Sequence, residues 1–326
     1  MGETIKTRVV GVDVSVKETT YAIVDIRGTI IAKDKFPTTD YPDVNDFVSA
    51  LSEKIVMMAE ENGGYETIRS VGMGAPNANF LSGCIENAGN MPWKGIVPLA
   101  AMLRDRLGLA VALANDAYVT AIGEQMYGSA HGMKDFVVVS LGHGGVGSSF
   151  FSNGMPHLGE VGLSGEIGHT CVVDNGRQCA CGGKGCLEEY ASDRGIAQTA
   201  REVLAESSEP SMLRSLQELT PKAIGECSDQ GDALALEVYR RTGKMLGIGL
   251  SFYASIINPE AIILTGGLTR AWKWLEGPTR ESFAEHVFPN IRNRCSIIVS
   301  IFSDDERDVI GAGALAWQVK EYSLFL

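Results

Sequence analysis

The sequence contains no apolar run that approaches the roughly 18 residues of a membrane-spanning helix, and its first segment, MGETIKTRVV, has no apolar signal core. It also lacks any basic run longer than scattered pairs. The net charge of −12 is opposite in sign to that of a surface that binds nucleic acid. We therefore expect a soluble, cytoplasmic protein with neither a membrane nor a nucleic acid among its partners.

Cysteine is scarce outside one segment. Four of the seven cysteines lie between Gly165 and Glu189, in GEIGHTCVVDNGRQCACGGKGCLEE, and three of them, Cys179, Cys181 and Cys186, are clustered within eight residues. An odd number with three clustered suits a reducing compartment and a metal site better than a disulfide framework. His169, Cys179, Cys181 and Cys186 match the donor set of tetrahedral Zn²⁺, and such a site would be closed and structural. The alternative is three buried, free cysteines.

Two acidic residues flank this cluster. Glu166 precedes His169 by three positions, which places both on one face of a helical turn, and Glu188 follows Cys186 by two. A metal-bound imidazole keeps its second nitrogen for another partner. The segment therefore predicts a zinc-ordered site that binds a polar ligand.

Two similar patterns elsewhere predict the architecture. Residues 8–36 and 135–158 each read as strand, polar or Gly-rich turn, strand, turn, strand, and helical patterns follow each of them. The 326 residues, 45% hydrophobic, suffice for two packed domains, and no low-complexity linker separates them. We expect two related α/β halves that form a cleft, with one tight turn from each half pointing into it.

Polar side chains follow several predicted strands. Asn79 and Asn90 lie in two loops, where asparagine most often only turns the chain. Asn115 and Asp116 stand at a strand-to-helix junction, where the usual role of either residue is to cap the helix.

The segment from Gly165 to Glu188 resembles the ROK family of sugar kinases and sugar-responsive repressors, which carry Gly-Glu-x-Gly-His followed by Cys-x-Cys-Gly-x-x-Gly-Cys-x-Glu. The resemblance covers nearly the whole chain. It implies a two-domain actin-like ATPase fold (the sugar kinase, ribonuclease H-like fold) with an interdomain cleft. Residues 1–116 would form one domain, joined by a C-terminal helix in residues 305–326, and residues 117–304 a larger one with the zinc loop. It also implies a homodimer.

The resemblance further implies roles for individual residues. Asp116 matches the catalytic aspartate, which acts as general base. The matching sugar contacts are Asn79, Asn90, Asn115, Glu166, His169 and Glu188. The matching nucleotide contacts are Asp13, Ser15, Lys17, Gly142, His143, Gly144, Gly266 and Gly267. We predict that the protein uses ATP, with Mg²⁺, to phosphorylate glucose or a related hexose at its primary hydroxyl.

Both phosphate turns depart from the family pattern. The family's Asp-x-Gly-Gly-Thr is here Asp13-Val14-Ser15-Val16-Lys17, and its Gly-Thr-Gly is Gly142-His143-Gly144. Asp13 near Mg²⁺ and Lys17 near the phosphates would then supply the electrostatic stabilisation. Two alternatives remain: a sugar-binding relative that has lost phosphoryl transfer, and a sugar-responsive transcription regulator. Regulators of the family carry an additional N-terminal helix-turn-helix region, whereas the first strand here is predicted within the first ten residues.

Overall fold

The structure, a computed structural model, describes residues 6–142 and 145–319. In these residues the strands are β1 (Arg8–Val14), β2 (Glu18–Asp25), β3 (Ile30–Pro37), β4 (Ile68–Gly74), β5 (Ala78–Asn79), β6 (Cys84–Glu86), β7 (Ile96–Val97), β8 (Ala110–Ala114), β9 (Phe136–Gly142), β10 (Gly145–Ser152), β11 (Met155–Pro156), β12 (Ala261–Thr265) and β13 (Ser296–Val299). The α-helices are α1 (Val44–Glu61), α2 (Leu99–Leu107), α3 (Asp116–Tyr127), α4 (Glu188–Ala191), α5 (Asp193–Glu206), α6 (Pro221–Asp229), α7 (Ala233–Ile257), α8 (Trp272–His286) and α9 (Arg307–Gln318).

The chain divides into two compact units. The first comprises Met1–Gly132, Leu158–Leu163 and Ile301–Leu326, and the second Met133–His157 and Ser164–Ser300. The domain limits predicted from the resemblance stay a prediction.

The first unit contains a five-stranded sheet in the order β3-β2-β1-β4-β8. Strands β1, β2 and β3 are antiparallel, whereas β4 and β8 run parallel to β1. The central strand β1 buries Val9, Val10 and Val12, because both faces of the sheet are covered. At the edge, β3 places charged side chains in solvent.

Helix α9 packs on this sheet at unusually short range. A Cβ on Gly11 in β1 would lie 2.1 Å from the carbonyl oxygen of Val309, and one on Gly72 in β4 would lie 2.0 Å from that of Ala312. Only glycine leaves room for the helix backbone at these two positions. These two backbone contacts position α9 along the sheet, and they therefore also position the side chains of its first turn.

The second unit repeats the arrangement. Its sheet has the order β11-β10-β9-β12-β13, with β9, β10 and β11 antiparallel and with β12 and β13 parallel to β9. The long helix α7, which is capped by the Asp232 side chain, is the central helix of its apolar core. The predicted α/β class and the two strand-turn-strand repeats are confirmed.

Element boundaries differ from the sequence prediction by a few residues. The last strand, β13, is short and spans only Ser296–Val299. The final helix, predicted within residues 305–326, spans Arg307–Gln318. Among the described residues, no helix is both long and apolar enough to span a bilayer.

The contact between β4 and α9 predicts the effect of one methyl group. Gly72→Ala would press against Ala312 O and Ala316 N, so α9 must shift, and we expect stability to fall by about 1–3 kcal/mol in urea unfolding. Gly89→Ala is the matched control, because a Cβ there meets nothing within 4 Å. Equal stability of the two variants would contradict the packing described here.

Candidate functional site

In the second unit, four potential metal ligands converge. One ligand atom each from His169, Cys179, Cys181 and Cys186 lies within 4.8 Å of all the others. His169 Nδ1 is 3.6 Å from Cys179 Sγ, and Cys181 Sγ is 3.7 Å from Cys186 Sγ. In a tetrahedral Zn²⁺ site with ordinary bond lengths, sulfur and nitrogen ligands lie about 3.6 Å apart and two sulfurs about 3.8 Å apart. The spacing and the donor chemistry therefore fit Zn²⁺.

The loop that carries these ligands is held by its own backbone. Gly183 N–H donates to Cys181 Sγ at 3.4 Å and lowers the pKa of this thiol. Gly185 has a φ of +73°, and a Cβ at this position would lie 1.8 Å from Val173 O, so only glycine fits there.

Arg177 ties the same loop to helix α5. Its guanidinium donates to Glu202 Oε1 at 3.0 Å and to Thr199 Oγ1 at 2.8 Å, and it lies 4.4 Å from the ring centre of Tyr190. The side chain of Arg177 is only 14% exposed. These contacts anchor the middle of the zinc loop through side chains that are not metal ligands.

The turn that carries Glu166 and His169 is held by strand β10. Ser148 donates its hydroxyl to Gly165 O and lies 3.1 Å from Tyr253 Oη. The following residues form a single 3₁₀ turn in which His169 N–H donates to Glu166 O at 3.2 Å. Both side chains are exposed, as a binding role requires.

Glu188, the first residue of α4, lies beside this cluster. Its Oε1 accepts from Arg194 Nη2 at 3.1 Å, and its Oε2 accepts from Val146 N–H at 3.4 Å. A carboxylate oxygen of Glu188 also lies within 4.8 Å of Cys179 Sγ. The structure thus brings the four potential metal ligands, Glu166 and Glu188 into one region of the second unit.

Two predicted nucleotide turns also meet in this unit. Gly142 ends β9, and a Cβ on it would lie 3.5 Å from Gly267 N. Gly266 follows β12 with a φ of +91° and packs against Leu141 O. His143 and Gly144 lie outside the described residues.

In the first unit, Asn115 and Asp116 have different local roles. Asn115 caps α3, because its Oδ1 accepts from Ala117 N–H at 2.9 Å and from Tyr118 N–H at 3.3 Å. Asp116 is the first helical residue, and its side chain reaches solvent. The sequence indicated that either residue could cap the helix. In the structure Asn115 is the cap, and the Asp116 carboxylate does not cap the helix.

Asp13 lies close to Asp116. It sits near the end of β1, paired with Gly74 of β4, and a Cβ on Gly74 would lie 3.6 Å from Asp116 Oδ1. Burial and then the Asp308 carboxylate raise the pKa of Asp116 to about 7, while Arg307 opposes the shift. Because Asp116 reaches solvent, water screens part of this effect. Burial, Asp308 and Asp116 also raise the pKa of Asp13.

Sequence reasoning missed Arg307 and Asp308, at the start of α9. Arg307 Nε and Nη2 donate to the two carboxylate oxygens of Asp308 at 2.8 and 3.0 Å, and Nη1 donates to Asp304 at 3.1 Å. The only signal in the sequence was an Arg-Asp pair in a run of acids, which by itself indicates a solvated helix start.

The other sugar-side candidates of this unit differ in exposure. Asn79 is buried, with its Oδ1 accepting from Leu81 N–H at 2.9 Å and its Nδ2 donating to Val161 O at 3.1 Å. Asn90 is exposed in a turn that Lys94 closes through Gly89 O and Met91 O. The structure therefore places the Asn79 amide within a backbone network and leaves Asn90 facing solvent.

The first phosphate turn is closed on itself. Ser15 N–H and Ser15 Oγ both donate to Glu18 O, at 3.1 and 2.8 Å. Lys17 is exposed, and its carbonyl accepts from Thr38 N–H. The hydroxyl of Ser15 is thus used inside the turn.

Comparison with known proteins shows similarity along the chain. Residues 9–319 match the ROK family. The chain is 31% identical over 321 residues to a glucokinase of Halalkalibacterium halodurans, which covers 96% of this chain and 94% of the relative. A glucokinase of Thermotoga maritima is 29% identical, covering 95% of this chain and 97% of the relative.

A solved ROK family glucokinase from Streptomyces griseus, in complex with glucose and AMPPNP, is 28% identical, with a TM-score of 0.77. The match covers 96% of this chain and 100% of that one. The solved ROK sugar kinases to which this chain is similar have the two-domain actin-like ATPase fold, so the predicted fold class is confirmed.

The convergence of ligands predicts about one Zn²⁺ per chain in protein purified without chelators. Cys181→Ser should lose the metal and, with it, sugar binding measured by thermal shift, because the loop loses the ion that joins its ends. Cys171→Ser is the matched control, since Cys171 lies in the same loop but outside the four-residue cluster. Full sugar affinity in zinc-free Cys181→Ser protein would contradict the arrangement.

Proposed function

The chain belongs to the ROK family and is a sugar kinase of the ROK type, and we propose that it transfers the γ-phosphoryl group of MgATP to the primary hydroxyl of glucose or a related hexose. The observation that carries the proposal is Asp116, which stands at the first position of α3 with its carboxylate free of the capping role. Full-length similarity to glucokinases supports the same substrate class.

Asp116 is the proposed general base. The carboxylate takes the proton of the sugar hydroxyl as that oxygen forms its bond to the γ-phosphorus, and the bond between this phosphorus and the β–γ bridging oxygen breaks to release ADP. A base works best when its pKa lies near the working pH, and burial raises that of Asp116 to about 7. Asp13 would lie near the Mg²⁺ that accompanies the nucleotide, and this ion would neutralise phosphate charge.

Six residues are proposed as sugar contacts. Glu166, His169 and Glu188 would accept or donate hydrogen bonds to hydroxyls, with Asn79, Asn90 and Asn115 as further contacts. His169 turns Nδ1 toward Cys179, so its Nε2 is the nitrogen left for the sugar. Asn115 uses Oδ1 as the helix cap and keeps its Nδ2 donors for a hydroxyl oxygen.

Zn²⁺ is proposed as a structural ion, held by His169, Cys179, Cys181 and Cys186. With four protein ligands it has no open position for a water, so it supplies loop order and no nucleophile. The nucleotide contacts are proposed at Asp13, Ser15, Lys17, Gly142, His143, Gly144, Gly266 and Gly267. A homodimer in the cytoplasm and the absence of a nucleic-acid partner remain predictions of the sequence.

One observation favours a second candidate function. Compared with the family pattern, the first phosphate turn lacks two glycines. The Ser15 hydroxyl that stands in their place is hydrogen-bonded within the turn, so it is not free to bind a phosphate. A ROK relative that binds a sugar and transfers phosphate weakly or not at all would tolerate this change. Calorimetry of MgATP with the sugar present separates the two, because the kinase must bind both ligands together.

Asp116→Asn is the direct test of the base. Asparagine keeps the shape but cannot accept the proton, so kcat should fall by about two orders of magnitude while the thermal shift caused by sugar stays unchanged. Asp46→Asn, the same substitution in the first turn of α1, is the matched control and should keep full activity. Near wild-type turnover by Asp116→Asn would remove the base from the mechanism.

The pH dependence follows from the same carboxylate. A base is active only when deprotonated, so with a pKa raised to about 7, log(kcat/KM) should be level above that pH and fall about tenfold per unit below it. An aspartate with an ordinary pKa of about 3.9 would keep kcat/KM level down to about pH 5. The residual rate of Asp116→Asn should lack this acid limb, and an identical limb in that variant would assign the titration to another group.

A further inference from the structure

The start of α9 carries a charged group that the mechanism above does not use. Arg307 is the first residue of the helix, where the helix dipole disfavours a cation. Its side chain is only 13% exposed, which adds a desolvation cost to the unfavourable position. Helix stability therefore gives no reason for an arginine here.

Helix packing places this arginine near the proposed base. A Cβ on Gly311 of α9 would lie 2.5 Å from Val119 O of α3, and one on Gly123 would lie 2.9 Å from Gly311 Cα. Ser70 in β4 donates its hydroxyl to Ala316 O, and Gly72 lies against Ala312, so α9 runs opposite to β4 and begins at the end of β4 that Gly74 occupies. Asp116 Oδ1 lies at that end too, 3.6 Å from a Cβ on Gly74. Helix α9 approaches β1 in the same way, through Gly11 and Val309.

Negative charge dominates this end of the first unit. Asp308 on α9 and Asp13 on β1 act electrostatically with Asp116 on α3, and Glu18 on β2 adds to the field at Asp13. Arg307 is the cation that opposes these carboxylates at both Asp13 and Asp116. Asp304, also bonded to the guanidinium, completes the charged set.

The guanidinium is fixed in place by its partners. Asp308 takes two of its N–H groups in a bidentate pair and Asp304 takes a third, so the fork that would grip a phosphate is already occupied. A fixed positive charge beside several carboxylates acts as their counter-ion. It does so without contacting the substrate.

We propose that Arg307 is a positioning residue for Asp116: its guanidinium, held by Asp308 and Asp304, keeps a positive charge beside the base and so keeps it ionised near neutral pH. Asp308 acts in the opposite sense, as a nearby negative charge. The inference rests on the proposed function only in the identity of Asp116 as the base.

The first test compares pH profiles of kcat/KM. Arg307→Met removes the counter-charge, so the acid limb should move to higher pH, with about a tenfold loss near pH 6 that disappears above about pH 9. Asp308→Asn should move the limb to lower pH, and Arg307→Lys, which retains the charge, should stay close to wild type. The double variant Arg307→Met with Asp308→Asn removes both opposing charges and should return toward wild type. A purely structural role predicts a loss that is equal at every pH, and that result would overturn the proposal.

The second test reads the proton directly. In protein labelled at the aspartate carboxyl carbons, the Asp116 signal is the one missing from Asp116→Asn, and NMR follows its titration in each variant. A titration midpoint of Asp116 that rises in Arg307→Met supports the inference. If Arg307→Met does not fold, a midpoint that falls in Asp308→Asn supports it instead. A midpoint unmoved in the folded variants overturns it, whatever their activity. Full turnover by Asp116→Asn would overturn the proposed function instead, and the two failures are therefore distinguishable.

Discussion

The convergence of one imidazole and three thiols is the constraint on which the candidate sugar site depends. Between the short turn that ends at His169 and helix α4, the described chain has no regular element, only two isolated bridges, Cys171 with Cys186 and Gln178 with Lys184. A loop of this kind has no ladder of hydrogen bonds to fix its shape. Its order therefore comes from scattered backbone hydrogen bonds, from the Arg177 contacts to α5 and from the ligand cluster. Glu166 and Glu188 flank the loop at its two ends, so an ion that joins the ends also sets where these carboxylates lie.

A second constraint, close helix packing, shapes the charged group of the first unit. Glycines in β1, β4 and α3 let α9 approach at backbone distance, and this brings Arg307 and Asp308 to the end of the unit where Asp13 and Asp116 lie. Like charges in such a place raise one another's proton affinity, which suits a base that must work near neutral pH. Close packing of α9 thus determines which charged groups surround Asp116.

The sequence predicted those features that are encoded locally. The four zinc ligands and Glu188 lie within twenty residues of one another, and the strand-turn-strand repeats follow from alternation and turn residues. Features that depend on distant segments were not predictable. Nothing near Arg307 indicates that Gly11 and Gly72 bring it to Asp13, and nothing near Asn79 indicates that its amide bonds to Val161 O. At the Asn115–Asp116 junction the two candidate roles could be separated only by geometry, which gives the cap to Asn115.

We propose that this chain, with its altered phosphate turn, transfers a phosphoryl group to a hexose. Phosphorus NMR of the zinc-loaded protein with MgATP and a panel of hexoses tests this directly, because it detects the product without a coupling enzyme. We expect a sugar phosphate-monoester signal that grows in step with ADP for at least one hexose. If a hexose raises the melting temperature of the protein while no hexose of the panel yields a phosphate ester, even on prolonged incubation, the protein binds sugar without phosphorylating it and the proposal is wrong.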